Sequence, residues 1–186
     1  MSEAWEAFER CLSAEEHLLA DAEALAWPPP EAELRRLAAH ALGTLSTLAA
    51  LEERHSDLGE DDNPLMQELL RMDAKLSALV EIVNRWLLPA DQAPQRHLVR
   101  FNARGAVVPA ALLPAEGEGV LLRLRFDACR SLALEFAGQR MQACDGDRVF
   151  VAFAALGEAS GDALERLVFR HHRRKVAVAR QQGVQA

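Results

Sequence analysis

The sequence predicts an α+β chain: N-terminal helices that include a long coiled-coil helix, then a small antiparallel β-barrel, then a C-terminal helix. Three observations carry this. Apolar residues follow a helical period up to the segment Pro89-Ala90-Asp91-Gln92-Ala93-Pro94 and a period of two after it. Residues 65–86 hold an unbroken 3.5-residue repeat. Charge divides in the same places: residues 1–64 hold 15 acids against 4 Lys or Arg, whereas residues 91–186 hold 10 against 14. The boundaries expected are therefore a helical hairpin region over 1–64, a heptad oligomerisation helix over 65–90, and a barrel with a terminal helix over 91–186.

Composition sets outer limits. Of 186 residues, 50% are apolar and 26% charged, which excludes a wholly disordered or fibrous chain. No apolar run reaches the roughly 18 residues of a spanning helix, so no integral membrane segment is expected. The start Met1-Ser2-Glu3-Ala4-Trp5-Glu6 is acidic and unlike a signal peptide. With three scattered cysteines, Cys11, Cys129 and Cys144, it suggests a cytoplasmic protein. A net charge of −7, concentrated in the N-terminal part, disfavours nucleic acid as a partner.

The first helix is expected over 2–26, with Ser2 as N-cap and Trp5, Phe8, Leu12, Leu19, Ala22 and Leu25 at helical spacing. Pro28-Pro29-Pro30 stops it. A second runs from Glu31 to Arg54, with Leu34, Leu37, Ala41, Leu45, Leu48 and Leu51 on one stripe. A proline before it and acids in its first turn suit a helix N-terminus. The stretch Ser56–Asn63 reads as a polar loop. Together the two helices suggest a hairpin.

The third helix, Leu65 to Leu88, contains no Gly or Pro. Leu65, Leu69, Met72, Leu76, Leu79, Val83 and Trp86 alternate spacings of four and three, the pattern of a coiled-coil seam. The neighbouring positions Met66, Val80 and Leu87 are also apolar, so the stripe is wider than a two-stranded seam needs. It either packs against the first two helices of its own chain or self-associates as a trimer or tetramer.

Beyond the proline-bounded linker, strands are expected at 97–101, 106–108, 119–126, 131–136 and 149–153. Asp127–Arg130 and Asp145–Asp147 read as turns between them. The final helix begins near Asp162, carries Leu164, Leu167 and Val168, and ends in the basic run His171-His172-Arg173-Arg174-Lys175. That run reads as a solvated face favoured by the helix dipole, or as a surface for an acidic partner.

A strand followed by a polar loop ending in Gly105, then Ala106-Val107-Val108, resembles the opening of a PilZ barrel. Gly119–Leu124 resembles its next strand, and Arg148–Phe153 followed by a helix resembles its close. With the heptad helix ahead of it, the whole resembles the atypical PilZ proteins that assemble as tetramers through a long helix. The resemblance therefore implies a homo-oligomer, a tetramer, and favours self-association over packing within the chain.

Most PilZ domains bind cyclic di-GMP through RxxxR in a flexible linker and D/N-x-S-x-x-G on the first strands. Guanidinium forks grip phosphates, and small residues let a base approach the backbone. Set on Gly105, the second motif keeps only that glycine, with Arg100 in place of Asp or Asn and Asn102 in place of Ser. Arg96-His97-Leu98-Val99-Arg100 spells RxxxR but overlaps the second motif instead of preceding it. Arg96, Arg100, Asn102 and Gly105 are thus the candidate ligand residues, and the degeneracy of both motifs disfavours cyclic di-GMP as a ligand.

Other chemistry has no foothold. The six histidines lack partners at metal-ligand spacing. Neither a P-loop, nor GxSxG, nor GxGxxG occurs, and Ser131, Ser160 and the cysteines have no obvious base beside them. The expectation is a non-enzymatic bacterial signalling adaptor without a cofactor, recruiting a protein partner in motility or virulence. The alternative is a cyclic di-GMP receptor using Arg96, Arg100 and Asn102.

Overall fold

A computed structural model describes residues 2–53, 64–89, 91–115 and 117–183. Its elements in chain order are α1 (Glu3–Arg10), β1 (Ala14–Leu25), α2 (Glu31–Glu53), α3 (Pro64–Leu87), β2 (Arg96–Asn102), β3 (Gly105–Pro109), β4 (Gly119–Arg125), β5 (Leu134–Cys144), β6 (Arg148–Phe153) and α4 (Glu158–Gly183). The polar loop expected at 56–63 lies outside the described residues. The predicted α+β architecture is present, with its heptad helix, antiparallel barrel and terminal helix.

One element is corrected. The helix expected over 2–26 is a helix only as far as Arg10, where Cys11 leaves the helical conformation, and residues 14–25 form a strand. The expected hairpin of the first two helices is therefore absent. The strand closes the barrel, whose order is β1-β2-β3-β6-β5-β4. The N-terminal half of β1 pairs antiparallel with β2, and from Leu19 onward it pairs with β4. Its alanines, glutamates and leucines favour a helix in isolation, but an open sheet edge on each side offers twelve residues of backbone pairing, and tertiary context prevails. Leu18, Ala20 and Ala22 then point at the core with period two.

The remaining strands fall close to the expected places. Only β5 differs appreciably, starting three residues later and running on to Cys144, with an irregularity in its pairing to β6 between Arg140 and Ala143. The terminal helix α4 starts at Glu158 instead of near Asp162, immediately after Gly157 at positive φ.

Alternation along the strands builds three layers. Val99, Phe101, Ala106, Val108, Val120, Leu122, Leu124, Leu134, Phe136, Val149 and Val151 join one central core with α2 residues Ala41, Leu45 and Leu48 and α4 residues Leu164, Leu167 and Val168. The intervening Val107 and Phe150 face outward and are covered by α1, with Trp5, Phe8 and Phe150 in mutual ring contact. Leu121 and Ala137 also face outward, under Leu37 of α2. Burying these large side chains stabilises the barrel by about 1.5–3 kcal/mol each.

A polar cluster ties the helices to β1. His171 of α4, only 8% exposed, places Nδ1 2.5 Å from Glu16 Oε1 and Nε2 2.7 Å from Glu52 Oε1. A ring with a carboxylate at each nitrogen is an imidazolium. Burial alone lowers its pKa, but the hydrogen bonds and charges of Glu16 and Glu52 outweigh that and raise it to about 9. Burial likewise pushes Glu52 upward, and His171, Arg174 and Arg170 together hold it below its ordinary value. The basic run expected as a solvated face thus has one member turned inward. Arg174 and Lys175 also reach back, to the Glu52 and Glu15 carbonyls.

Candidate assembly face and ligand-motif region

The helix α3 stands apart from the rest of the chain. Its C-terminal half is rooted on the 3-10 turn Asp127–Cys129 between β4 and β5 and on the residues that follow it. Buried Asn84 accepts a hydrogen bond from the Ser131 backbone N–H at 2.9 Å, and its Oδ1 lies 3.6 Å from the Cys129 thiol, which donates to it. Arg130 pairs with Glu81, and Val80 leans on the core. The heptad seam itself is uncovered: Leu69, Met72, Leu76, Leu79, Val83 and Trp86 are all exposed, Leu79 at 56% and Trp86 at 82%. Ile82 and Leu87 widen the stripe and are exposed too. The side chains of Leu65 and Met66 lie outside the described residues. Packing of this face onto the chain's own first two helices is not what the fold does. Single-chain surfaces rarely carry so continuous an apolar stripe unless something docks there.

The four candidate ligand residues all lie on β2 or at the start of β3, and each is occupied. Arg96 donates to the His17 carbonyl at 2.9 Å and pairs with Asp127. Arg100 forms a forked pair with Glu9 at 2.8 and 3.1 Å, donates from Nε to the Ser13 hydroxyl at 2.8 Å, and lies 5.0 Å over the Phe8 ring. Both arginines sit on the outer face of the strand, where a four-residue separation puts them about 13 Å apart. A flexible linker could fold two arginines around one ligand; a paired strand holds them apart.

Asn102 is 1% exposed and serves the backbone. Its Nδ2 donates to the Phe8 carbonyl at 2.9 Å, and its Oδ1 accepts from the Arg104 N–H at 2.8 Å, closing the β2–β3 turn. Gly105 allows the sheet to close, because a Cβ there would stand 2.4 Å from the Val151 carbonyl and 2.6 Å from the Phe150 ring. The structure thus gathers Arg100 and Asn102 around the end of α1 and leaves Arg96 at the other end of β2. Sequence reasoning could not see the Glu9, Ser13 and Asp127 partners, which are 91, 87 and 31 residues from the arginines they bind.

Fold and site together define a small six-stranded barrel with flanking helices and an exposed heptad helix. Residues 45–181 match the family model described as an atypical PilZ domain, cyclic di-GMP receptor, and the chain belongs to this atypical PilZ family. The match starts within α2, leaving α1 and the closing strand β1 outside it. The chain is also similar to a pathogenic protein from Xanthomonas campestris, described as a tetrameric PilZ domain self-assembled via an unusual helical bundle. The two share 29% identity over 91% of this chain and 93% of that one, with a TM-score of 0.68. Among curated proteins, none matches the chain. Among the described residues, no helix is long and apolar enough to cross a membrane, and no group of three or more His, Cys, Asp or Glu is disposed to hold a metal.

Proposed function

We propose that this chain is a non-enzymatic bacterial signalling adaptor, an atypical PilZ barrel multiplied by self-association of α3 into a tetramer. The observation that carries the reading is the open seam from Leu69 to Trp86, which its own chain leaves in solvent. The tetrameric helical bundle of the Xanthomonas campestris relative supports the same stoichiometry here. The seam sets valency, and four barrels displayed together raise avidity for a protein partner in motility or virulence without strong single contacts.

In this reading cyclic di-GMP is not the ligand of residues 96–105. A phosphate would have to displace Glu9, Ser13 and the Phe8 ring from Arg100, and Asp127 from Arg96. The family's description as a cyclic di-GMP receptor favours the second reading, in which Arg96, Arg100 and Asn102 bind the nucleotide and Gly105 admits it. Calorimetric titration of the full chain with cyclic di-GMP separates the two. Absence of heat, with no thermal shift at saturating nucleotide, is expected for the adaptor. Micromolar binding that disappears in Arg100→Ala would establish the receptor instead.

A further inference from the structure

Beside α4 lies a cavity of about 610 Å³. One wall is the link between α1 and β1, through Leu12; another is the β2–β3 turn, through Ala103; the third is α4, through Val168 and Phe169. Leu12 and Phe169 are 45% and 53% exposed, two large apolar side chains facing one open trough. Along the α4 rim the charges are ordered. Asp162 and Glu165 stand at its N-terminal end, then Arg166 and Arg170, and one turn past Phe169 the Arg173 guanidinium lies 5.8 Å over the Phe169 ring. Arg170 pairs with Glu52, as most barrel arginines pair with carboxylates, but Asp162, Glu165, Arg166 and Arg173 take part in no ion pair among the described residues.

We infer that this trough is the adaptor's partner-docking site, and that its occupant is an amphipathic helix of mixed charge. An apolar anchor would seat between Leu12 and Phe169, with basic residues toward Asp162 and Glu165 and acidic residues toward Arg166 and Arg173. Charge complementarity selects this occupant: an all-basic or an all-acidic helix would meet like charge at one end of the rim. The span from Asp162 to Arg173 is about 16 Å, or three turns of helix, which accommodates the roughly 10 Å, two-turn reach of apolar anchors at i, i+3, i+4 and i+7. This assignment rests on the adaptor reading and names the face that reading uses.

The test uses the full-length protein and three fluorescein-labelled 16-residue helical peptides with one shared Leu/Phe face. One carries Lys at one end and Glu at the other, one only Lys, one only Glu. Anisotropy is expected to show the mixed peptide binding at least tenfold tighter than either of the others. Phe169→Glu, at an exposed position, is expected to abolish binding with unchanged circular dichroism and mass. In Asp162→Lys/Glu165→Lys the all-Glu peptide should become the tightest. Equal affinity of the three peptides, binding retained in Phe169→Glu, or no binding by any peptide at 200 μM (~0.2 mM, the upper range of weak docking) would overturn the proposal. Cyclic di-GMP binding alongside the expected peptide pattern would remove the adaptor-only reading and leave the trough standing. No nucleotide binding and no peptide preference would remove the trough alone.

Discussion

Replacing His171 by alanine isolates a buried charge cluster that joins α2, α4 and β1. In the folded chain its pKa is raised from 6.5 to about 9. At about 1.4 kcal/mol per unit, the protonated ring contributes about 3 kcal/mol relative to the neutral one, and its burial leaves little solvent to screen it. Removing one partner of a buried pair costs about 3–5 kcal/mol, and Arg170 and Arg174, which stay beside Glu52, keep the loss near the lower figure. The sign follows from the raised pKa. The contribution is complete below pH 6.5, still mostly present at pH 7, and lost as pH rises through about 9. Glu52 is shifted downward, so it adds no slope in this window. Equilibrium urea unfolding of wild type and His171→Ala, at one protomer concentration, measures the difference. At pH 6 the gap should be about 3 kcal/mol or more, and by pH 10 it should narrow by about 3 kcal/mol. A gap that does not change with pH would refute the reasoning, because it would mean that the folded ring is neutral.

Three further outcomes are expected. Leu76→Glu together with Leu79→Glu places charge in the seam, where each buried unpaired carboxylate costs several kcal/mol in an assembly and nothing in the exposed helix of a single chain; light scattering should show dissociation, with the thermal unfolding of the barrel retained. Asn102→Ala leaves the Arg104 N–H without its partner and the Phe8 carbonyl with only the Cys11 N–H, and should cost about 1–3 kcal/mol in urea unfolding. Gly105→Ala forces a methyl against the Val151 carbonyl and should lower stability by about 1–3 kcal/mol, an overpacking cost, whether or not any nucleotide binds.

Much of the fold was legible because local pattern and tertiary role agreed. The heptads of α3, the stripe of α2 and the period-two strands β2, β3, β4 and β6 each announce the face they bury or present. The first strand was not legible. Leu19, Ala22 and Leu25 satisfy a helical spacing while Leu18, Ala20 and Ala22 satisfy a strand, and the residue types favour the helix. What decides between them is the gap between β2 and β4, strands that begin 71 or more residues beyond β1, and no local window contains it. The role of His171 was partly readable. With Leu164, Leu167 and Val168 it completes an i, i+3, i+4, i+7 stripe, so it belongs to the inward face of α4 and not to the basic run around it. The partners of Arg96 and Arg100 were unreadable for the same reason as β1, since ion pairs between distant segments leave no periodic trace.

The most direct test of the assembly is the mass of the purified chain by multi-angle light scattering at micromolar concentration. Self-association through α3 gives a mass near four times the 20.5 kDa of one chain, returning to 20.5 kDa in Leu76→Glu/Leu79→Glu. A wild-type mass of 20.5 kDa would contradict it, leaving the seam from Leu69 to Trp86 without the partner that its exposure requires.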